Sequence, residues 1–157
     1  MASIYADHSF ASGREPMILT VPGLGNSGPQ HWQSHWENDR DNCERVDLGV
    51  WDRPVRTLWV NKLNLAIRQY ADRPVILVAH SLGCLAVAWW AQYERPAYGT
   101  PVAGALLVAP PEVDHAPLAQ ALVPFAPAPN ILLPFPSIVV ASRDDPYMKF
   151  ERARRLA

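Results

Sequence analysis

The chain predicts an α/β fold: a doubly wound, mostly parallel sheet of about five strands with helices on both faces. Three observations carry this. Short apolar runs of strand length recur at residues 17–21, 75–79, 102–109 and 137–141, with a weaker one at 45–48. Segments of helical period separate them, residues 52–70 most clearly. Turns rich in glycine, serine or aspartate follow the first, third and fifth runs. Those turns lie at the carboxyl edge of a parallel sheet, where open α/β sheets bind their ligands.

Taken in order, residues 1–16 read as a loose leader and 17–157 as one domain. A length of 157 residues suits a single domain and suffices to bury about 70% of the unfolded surface. The run MILTV at 17–21 is apolar and β-branched, as a buried strand requires. The loop Pro22-Gly23-Leu24-Gly25-Asn26-Ser27-Gly28-Pro29 leads to a short helix over 30–38, with Pro29 near its first position. From 52 to 70, Val55, Leu58, Trp59, Leu63, Ala66, Ile67 and Tyr70 form an apolar stripe that only Lys62 interrupts. Asp52 is the expected N-cap of that helix and Pro54 an early helical position. The strand at 75–79 runs into a helix over 82–93, and the strand at 102–109 stops at Pro110-Pro111. Residues 112–136 are proline-rich, and a loop this long inside a compact domain reads as a functional cover. The strand at 137–141, a loop over 142–146 and a basic helix over 147–156 complete the chain. Right-handed crossovers then fix the doubly wound arrangement.

Composition narrows the function. A net charge of −1 with no basic stripe argues against nucleic acid and anionic membranes as partners. The N-terminus lacks the basic and apolar regions of a signal peptide, and no run of about 18 apolar residues exists to span a membrane. Two cysteines, Cys43 and Cys84, are too few for a disulfide framework, and Cys84 reads as a small core residue. A soluble, cytoplasmic protein is expected.

The chemistry centres on Ala79-His80-Ser81-Leu82-Gly83, a G-x-S-x-G pattern with alanine in the first glycine place. An apolar strand before it and an amphipathic helix after it make a sharp elbow that lifts Ser81 clear of the sheet as a nucleophile. The small residues at 79 and 83 let strand and helix approach closely. Acyl transfer also needs two N–H donors aimed at the developing oxyanion. Leu82, after the nucleophile, supplies one, and Leu24, between two glycines in the loop after the first strand, supplies the other. The same loop is a near miss to a dinucleotide fingerprint, but Pro29 and the lack of a paired acid argue against that reading. Asp144 and Asp145 follow the fifth strand, and Asp145, stiffened by Pro146, is favoured as the acid that orients a histidine.

The base is the gap. His8, His31, His35, His80 and His115 all precede Asp145, whereas the order for this elbow is serine, acid, histidine. His80 is expected to pack beneath the site, and His31 to line the pocket more than to act as base. His31 and His35 lack a third partner for a metal, so no metal is expected. Leu118, Leu122, Phe125 and Leu132 of the proline-rich segment are expected to roof an apolar acyl pocket.

Four stretches together carry a family resemblance: Val21-Pro22-Gly23; Gly28-Pro29-Gln30-His31-Trp32 with Trp36; Val78 through Gly83; and Ala141 through Tyr147. On these the chain resembles the small α/β-hydrolase family of serine hydrolases that includes retinoblastoma-binding protein 9. The resemblance implies a minimal α/β-hydrolase with Ser81 as nucleophile, Asp145 as acid, a small-molecule acyl substrate, and neither metal nor organic cofactor. It places Trp32 beside His31 and His80 as a pocket candidate. It also implies one more strand, a histidine loop and a closing helix after the basic helix. The chain stops at Ala157 and is therefore expected to be truncated and impaired, with no position to match the family's histidine. An apolar strand at 137–141 would then be an open edge that invites association. A non-catalytic binding protein on the same fold is the alternative.

Overall fold

A computed structural model describes residues 13–115 and 117–156. Most of the expected leader, including His8, lies outside the described residues. The elements run β1 (Met17–Val21), α1 (Trp32–Asp39), β2 (Cys43–Arg45), α2 (Arg56–Gln69), β3 (Val75–His80), α3 (Leu82–Glu94), β4 (Val102–Val108), β5 (Ser137–Val140) and α4 (Phe150–Leu156). All strand pairs are parallel and the sheet order is β2-β1-β3-β4-β5. The predicted doubly wound α/β fold is what forms. The chain steps outward from β1 to β2 and then returns to the other side of β1 to lay down β3. The order therefore reverses between β1 and β3, which opens a crevice at their carboxyl ends.

Alternation along each strand assigns the two faces. Met17, Leu19, Val21, Val75, Leu77, Ala79, Ala105 and Leu107 are buried in one core with Trp59, Leu63 and Ile67 of α2 and the apolar side of α3. The opposite face meets α1, where the Thr20 hydroxyl donates to Glu37. Farther across that same face, Ile138 and Val140 of β5 remain 67% and 46% exposed. Among the described residues β5 is an edge strand.

Several boundaries differ from the sequence expectation; the first helix, for one, begins at Trp32 behind a His31 cap, so Pro29 lies ahead of it. The second strand is Cys43–Arg45, not 45–48, because Cys43, Glu44 and Arg45 align with Ile18, Leu19 and Thr20. Helix α2 begins at Arg56, and its N-cap is Val55 without a side-chain cap, so neither Asp52 nor Pro54 holds its expected place. The preceding loop is instead pinned by the Trp59 indole, which donates to Gly49 O at 2.9 Å. The last helix begins at Phe150, because the Asp145 carboxylate accepts the Tyr147 N–H at 2.7 Å and keeps the chain in a turn.

A further difference concerns the proline-rich cover. It contains a short 3₁₀ helix, Gln120–Phe125. Phe125 is fully buried edge-on to Trp59 at 5.5 Å, and its carbonyl accepts the Trp89 indole N–H at 2.9 Å. Leu122 is buried and Leu118 packs against the same core, whereas Leu132 is 97% exposed. The expected roof of a pocket is thus split between core and solvent. The aromatic surface of α2 and α3 needs a cover, and Phe125 supplies it.

Candidate functional site

Ser81 joins β3 directly to α3 at φ 52 and ψ −125. A non-glycine residue held there costs about 1–3 kcal/mol, a strain that surrounding contacts must hold in place. The Ser81 N–H donates to Val108 O at 2.9 Å, and the Cys84 N–H donates back to Ser81 O at 2.9 Å. Ser81 occupies the N-cap position of α3 but makes no side-chain cap bond. Its hydroxyl has no hydrogen-bond partner among the described residues, so capping is not what the serine does. The first turn of α3 instead directs its unpaired N–H groups toward the hydroxyl's side of the elbow.

Glycine at 83 is a steric demand. A Cβ there would sit 2.6 Å from Pro22 O and closer still to Val21 O, both backbone atoms at the end of β1. Gly23 makes the same demand from the other side, since a Cβ there would lie 3.0 Å from His80 O and 3.1 Å from Leu82 N. These two close approaches bring the loop after β1 against the elbow across the switch point. Leu24 follows Gly23 at the open side of this contact, with its side chain exposed. Neither the Leu24 nor the Leu82 N–H donates to another backbone group among the described residues.

Two residues that the sequence reading passed over hold that loop. Gln33 is fully buried on α1 and donates to Val78 O at 2.9 Å while accepting the Ser27 hydroxyl at 2.7 Å. Arg45 donates to Ser27 O at 2.7 Å and to Ser34 Oγ at 2.6 Å, and pairs with Glu37 at 2.8 Å. As residues of a short polar helix and a weak strand they look solvated in sequence. Only the packing of α1 over the sheet shows otherwise.

The acidic loop separates its two aspartates. Asp144 is exposed, and the Ser142 hydroxyl that donates to it holds its carboxyl below the usual range. Asp145 is half-buried, accepts the Tyr147 N–H, and its charge reaches His80.

His80 and His31 pack together with ring centroids 4.6 Å apart, and Trp32 meets His80 edge-on at 6.1 Å. The three rings form one cluster. His31 caps α1, with its Nδ1 accepting the Gln33 N–H at 3.2 Å. The neutral ring therefore carries its proton on Nε2, and taking a second proton on Nδ1 would break the cap. Burial first, then the Arg45 charge, hold His31 below the ordinary histidine range against the pull of Glu37. Burial first, then His31, do the same to His80 against the pull of Asp145. Neither ring is hydrogen-bonded to Ser81. Among the described residues no cluster of three or more histidine, cysteine or acidic side chains is gathered for a metal, and no helix is long and apolar enough to cross a membrane.

The structure thus gathers a strained serine at a strand-to-helix turn, the N–H groups beside it, a histidine pair and an acidic loop at one edge of the sheet. Comparison with known families matches residues 18–157 to the serine hydrolases. The chain belongs to the serine hydrolase family. Among solved structures it is similar to one from Pectobacterium atrosepticum described as a YdeN-like hydrolase, with 31% identity and a TM-score of 0.74 over 93% of this chain and 73% of that one. A cutinase-like protein from Cryptococcus sp. shares the fold at a TM-score of 0.60 and 11% identity, covering 87% of this chain and 80% of its own. A metagenomic carboxyl esterase does so at 0.50 and 16%, covering 78% and 39%. No curated protein matches the chain.

Proposed function

We propose that this serine hydrolase cleaves ester, thioester or activated amide bonds through an acyl-serine intermediate formed on Ser81. The observation that carries the reading is the serine itself, held at φ 52 between β3 and α3 with its hydroxyl unpartnered among the described residues. In the first half-reaction Ser81 Oγ attacks the substrate carbonyl, and the electron pair moves onto the carbonyl oxygen. The N–H groups of Leu24 and Leu82 receive that oxyanion, a contribution of about 3–4 kcal/mol per donor in comparable sites. The carbonyl re-forms and expels the leaving group, which departs with a proton. Water then repeats the attack on the acyl-serine and frees the acid.

The proton on Oγ needs an acceptor. In the proposed scheme an imidazole oriented by Asp145 takes it and returns it to the leaving group. His31 is committed to its cap and His80 packs against the His31 and Trp32 rings, and no histidine follows Asp145 among the 157 residues. The scheme depends on that imidazole, because losing the base of such a triad costs about 10⁶ in turnover. Its two free, buried cysteines support the proposed reducing, cytoplasmic setting.

Labelling with a fluorophosphonate, read by intact mass, tests this. One adduct is expected on the wild-type chain and none on Ser81→Ala. Imidazole added to the buffer supplies a base and should raise the labelling rate in proportion to its concentration. A folded wild-type chain that takes no label even with imidazole would overturn the hydrolase reading and favour a binding protein on the same fold.

A further inference from the structure

We propose that a cavity between α3, β4, β5 and α4 is the hydrocarbon-binding arm of the Ser81 site. It would take a neutral, straight alkyl chain from the acyl side of the substrate. The assignment rests on the hydrolase reading above and adds the substrate class to it.

The cavity measures about 360 Å³. A dry apolar cavity of about 150 Å³ already holds a benzene molecule, so this one accommodates a chain of about eight carbons. Its walls are apolar: Cys84 and Ala88 from α3, Leu107 from β4, Val139 from β5, and Met148 ahead of α4. None of the residues expected to roof an acyl pocket lines it. The space is formed by the two ends of the proline-rich cover, not by its middle.

The rim explains why the occupant is uncharged. Glu112, Asp114, His115 and Arg152 are the titratable and charged groups there, and they are bound to one another or to backbone. Glu112 Oε2 accepts Arg152 at 2.6 Å, and its Oε1 takes the Asp114 N–H at 2.9 Å and lies 3.3 Å from His115 Nδ1. Asp114 Oδ1 accepts the Ala128 N–H at 2.7 Å. The Glu112–Arg152 pair leaves an anionic head group no unpaired cation at the rim, whereas an alkyl chain only replaces water along apolar walls.

The path to the nucleophile is short. Val108 O accepts both the Ser81 N–H at 2.9 Å and the Cys84 thiol at 3.5 Å. The elbow and the cavity wall thus bind the same carbonyl through residues three apart, at the N-cap and in the first turn of α3. After Val108, Ala109 at φ 51 swings the chain into Pro110 and Pro111, which line the cavity mouth. Ser81, Leu24 and Leu82 stay outside the lining, so the reacting carbonyl would sit at the elbow with its tail running over Pro110 into the cavity.

The test compares two phosphonofluoridates that differ only in the alkyl group on phosphorus, ethyl against octyl, with imidazole present. In each the Ser81 Oγ–P bond forms, the P–F bond breaks, fluoride leaves and imidazole takes the proton. Each methylene placed in the cavity is worth about fourfold, so the octyl probe should label wild type at least about tenfold faster. Ala88→Leu fills the cavity and should bring the octyl-to-ethyl ratio close to one. Leu132→Ala, at a 97% exposed position outside the cavity, should keep the wild-type ratio. In wild type alone, 1-octanol should slow the octyl probe and spare the ethyl probe, a readout that does not depend on any variant folding. Equal rates for the two probes, a ratio untouched by Ala88→Leu, or no competition by octanol would refute the assignment and leave the hydrolase reading standing. A folded chain labelled by neither probe would refute both.

Discussion

Gly83→Ala sets two effects of opposite sign against each other. In an ordinary helix interior this exchange stabilises by about 1 kcal/mol. Here the added methyl would lie 2.6 Å from Pro22 O, with Val21 O nearer still and Val21 C at 2.9 Å. A relaxed contact needs about 3.5–4.0 Å, so α3 must retreat from β1 by roughly 1 Å. All three neighbours are backbone atoms, and no side-chain rotation relieves the contact. Overpacking of this kind costs about 1–3 kcal/mol, and a rigid neighbour puts the cost at the upper end. The net loss should be about 2 kcal/mol, or roughly 4–8 °C in melting temperature for a chain of this size. The retreat would also carry Leu82 N–H away from Leu24, and a misplacement of about 1 Å costs on the order of a hundredfold in rate. Gly104→Ala is the control, because its Cβ would meet only Pro136 O at an ordinary 3.4 Å. That variant should be neutral or up to about 1 kcal/mol more stable. Thermal unfolding by circular dichroism and the Ser81 labelling rate decide the matter. If Gly83→Ala melts at or above wild type and labels normally, the steric account of the elbow is wrong.

Phe125→Ala should destabilise by about 3–5 kcal/mol in urea titrations through loss of its contact with Trp59, with no sharpening of chain-length preference in whatever folds. The paired histidines predict a pH effect. Both are held below the ordinary value of 6.5 in the folded chain, so below that value the unfolded chain binds more protons. Their contribution is present above about pH 6.5 and is lost as the pH falls through it toward the folded values. Between about pH 7.5 and 5.5, the melting temperature of wild type should therefore drop more than that of His31→Asn/His80→Asn, in which asparagine preserves the cap acceptor. An equal drop in both proteins would assign the acid sensitivity elsewhere. Burial pushes the Cys43 thiol up to about 11 and Cys84 higher still. Iodoacetamide at mildly alkaline pH should modify neither in the native chain and both in denaturant, as counted by mass spectrometry.

Much of this protein is legible in its sequence. The elbow is a local object. Its strand, its serine and its small neighbours at 79 and 83 follow one another within a few residues, and sterics at a single turn dictate them. The alternation of apolar runs with helical segments determines the fold class for the same reason. What the tertiary structure decided is which distant residues meet. Gln33 and Arg45 lie on unremarkable polar segments, yet the reversal of strand order at β1 and β3 turns them inward to hold the Leu24 loop. Asp145 parts from Asp144 only because the loop after β5 folds one carboxylate onto the Ser142 hydroxyl and the other onto the Tyr147 N–H. Phe125 carries the same apolar signal as a pocket residue would. Its place in the core was settled by the exposed aromatic face that α2 and α3 present once they pack together. A sequence records side-chain chemistry and local backbone preference. Burial and partnership depend on contacts between residues far apart in the chain, and those exist only once the sheet is wound.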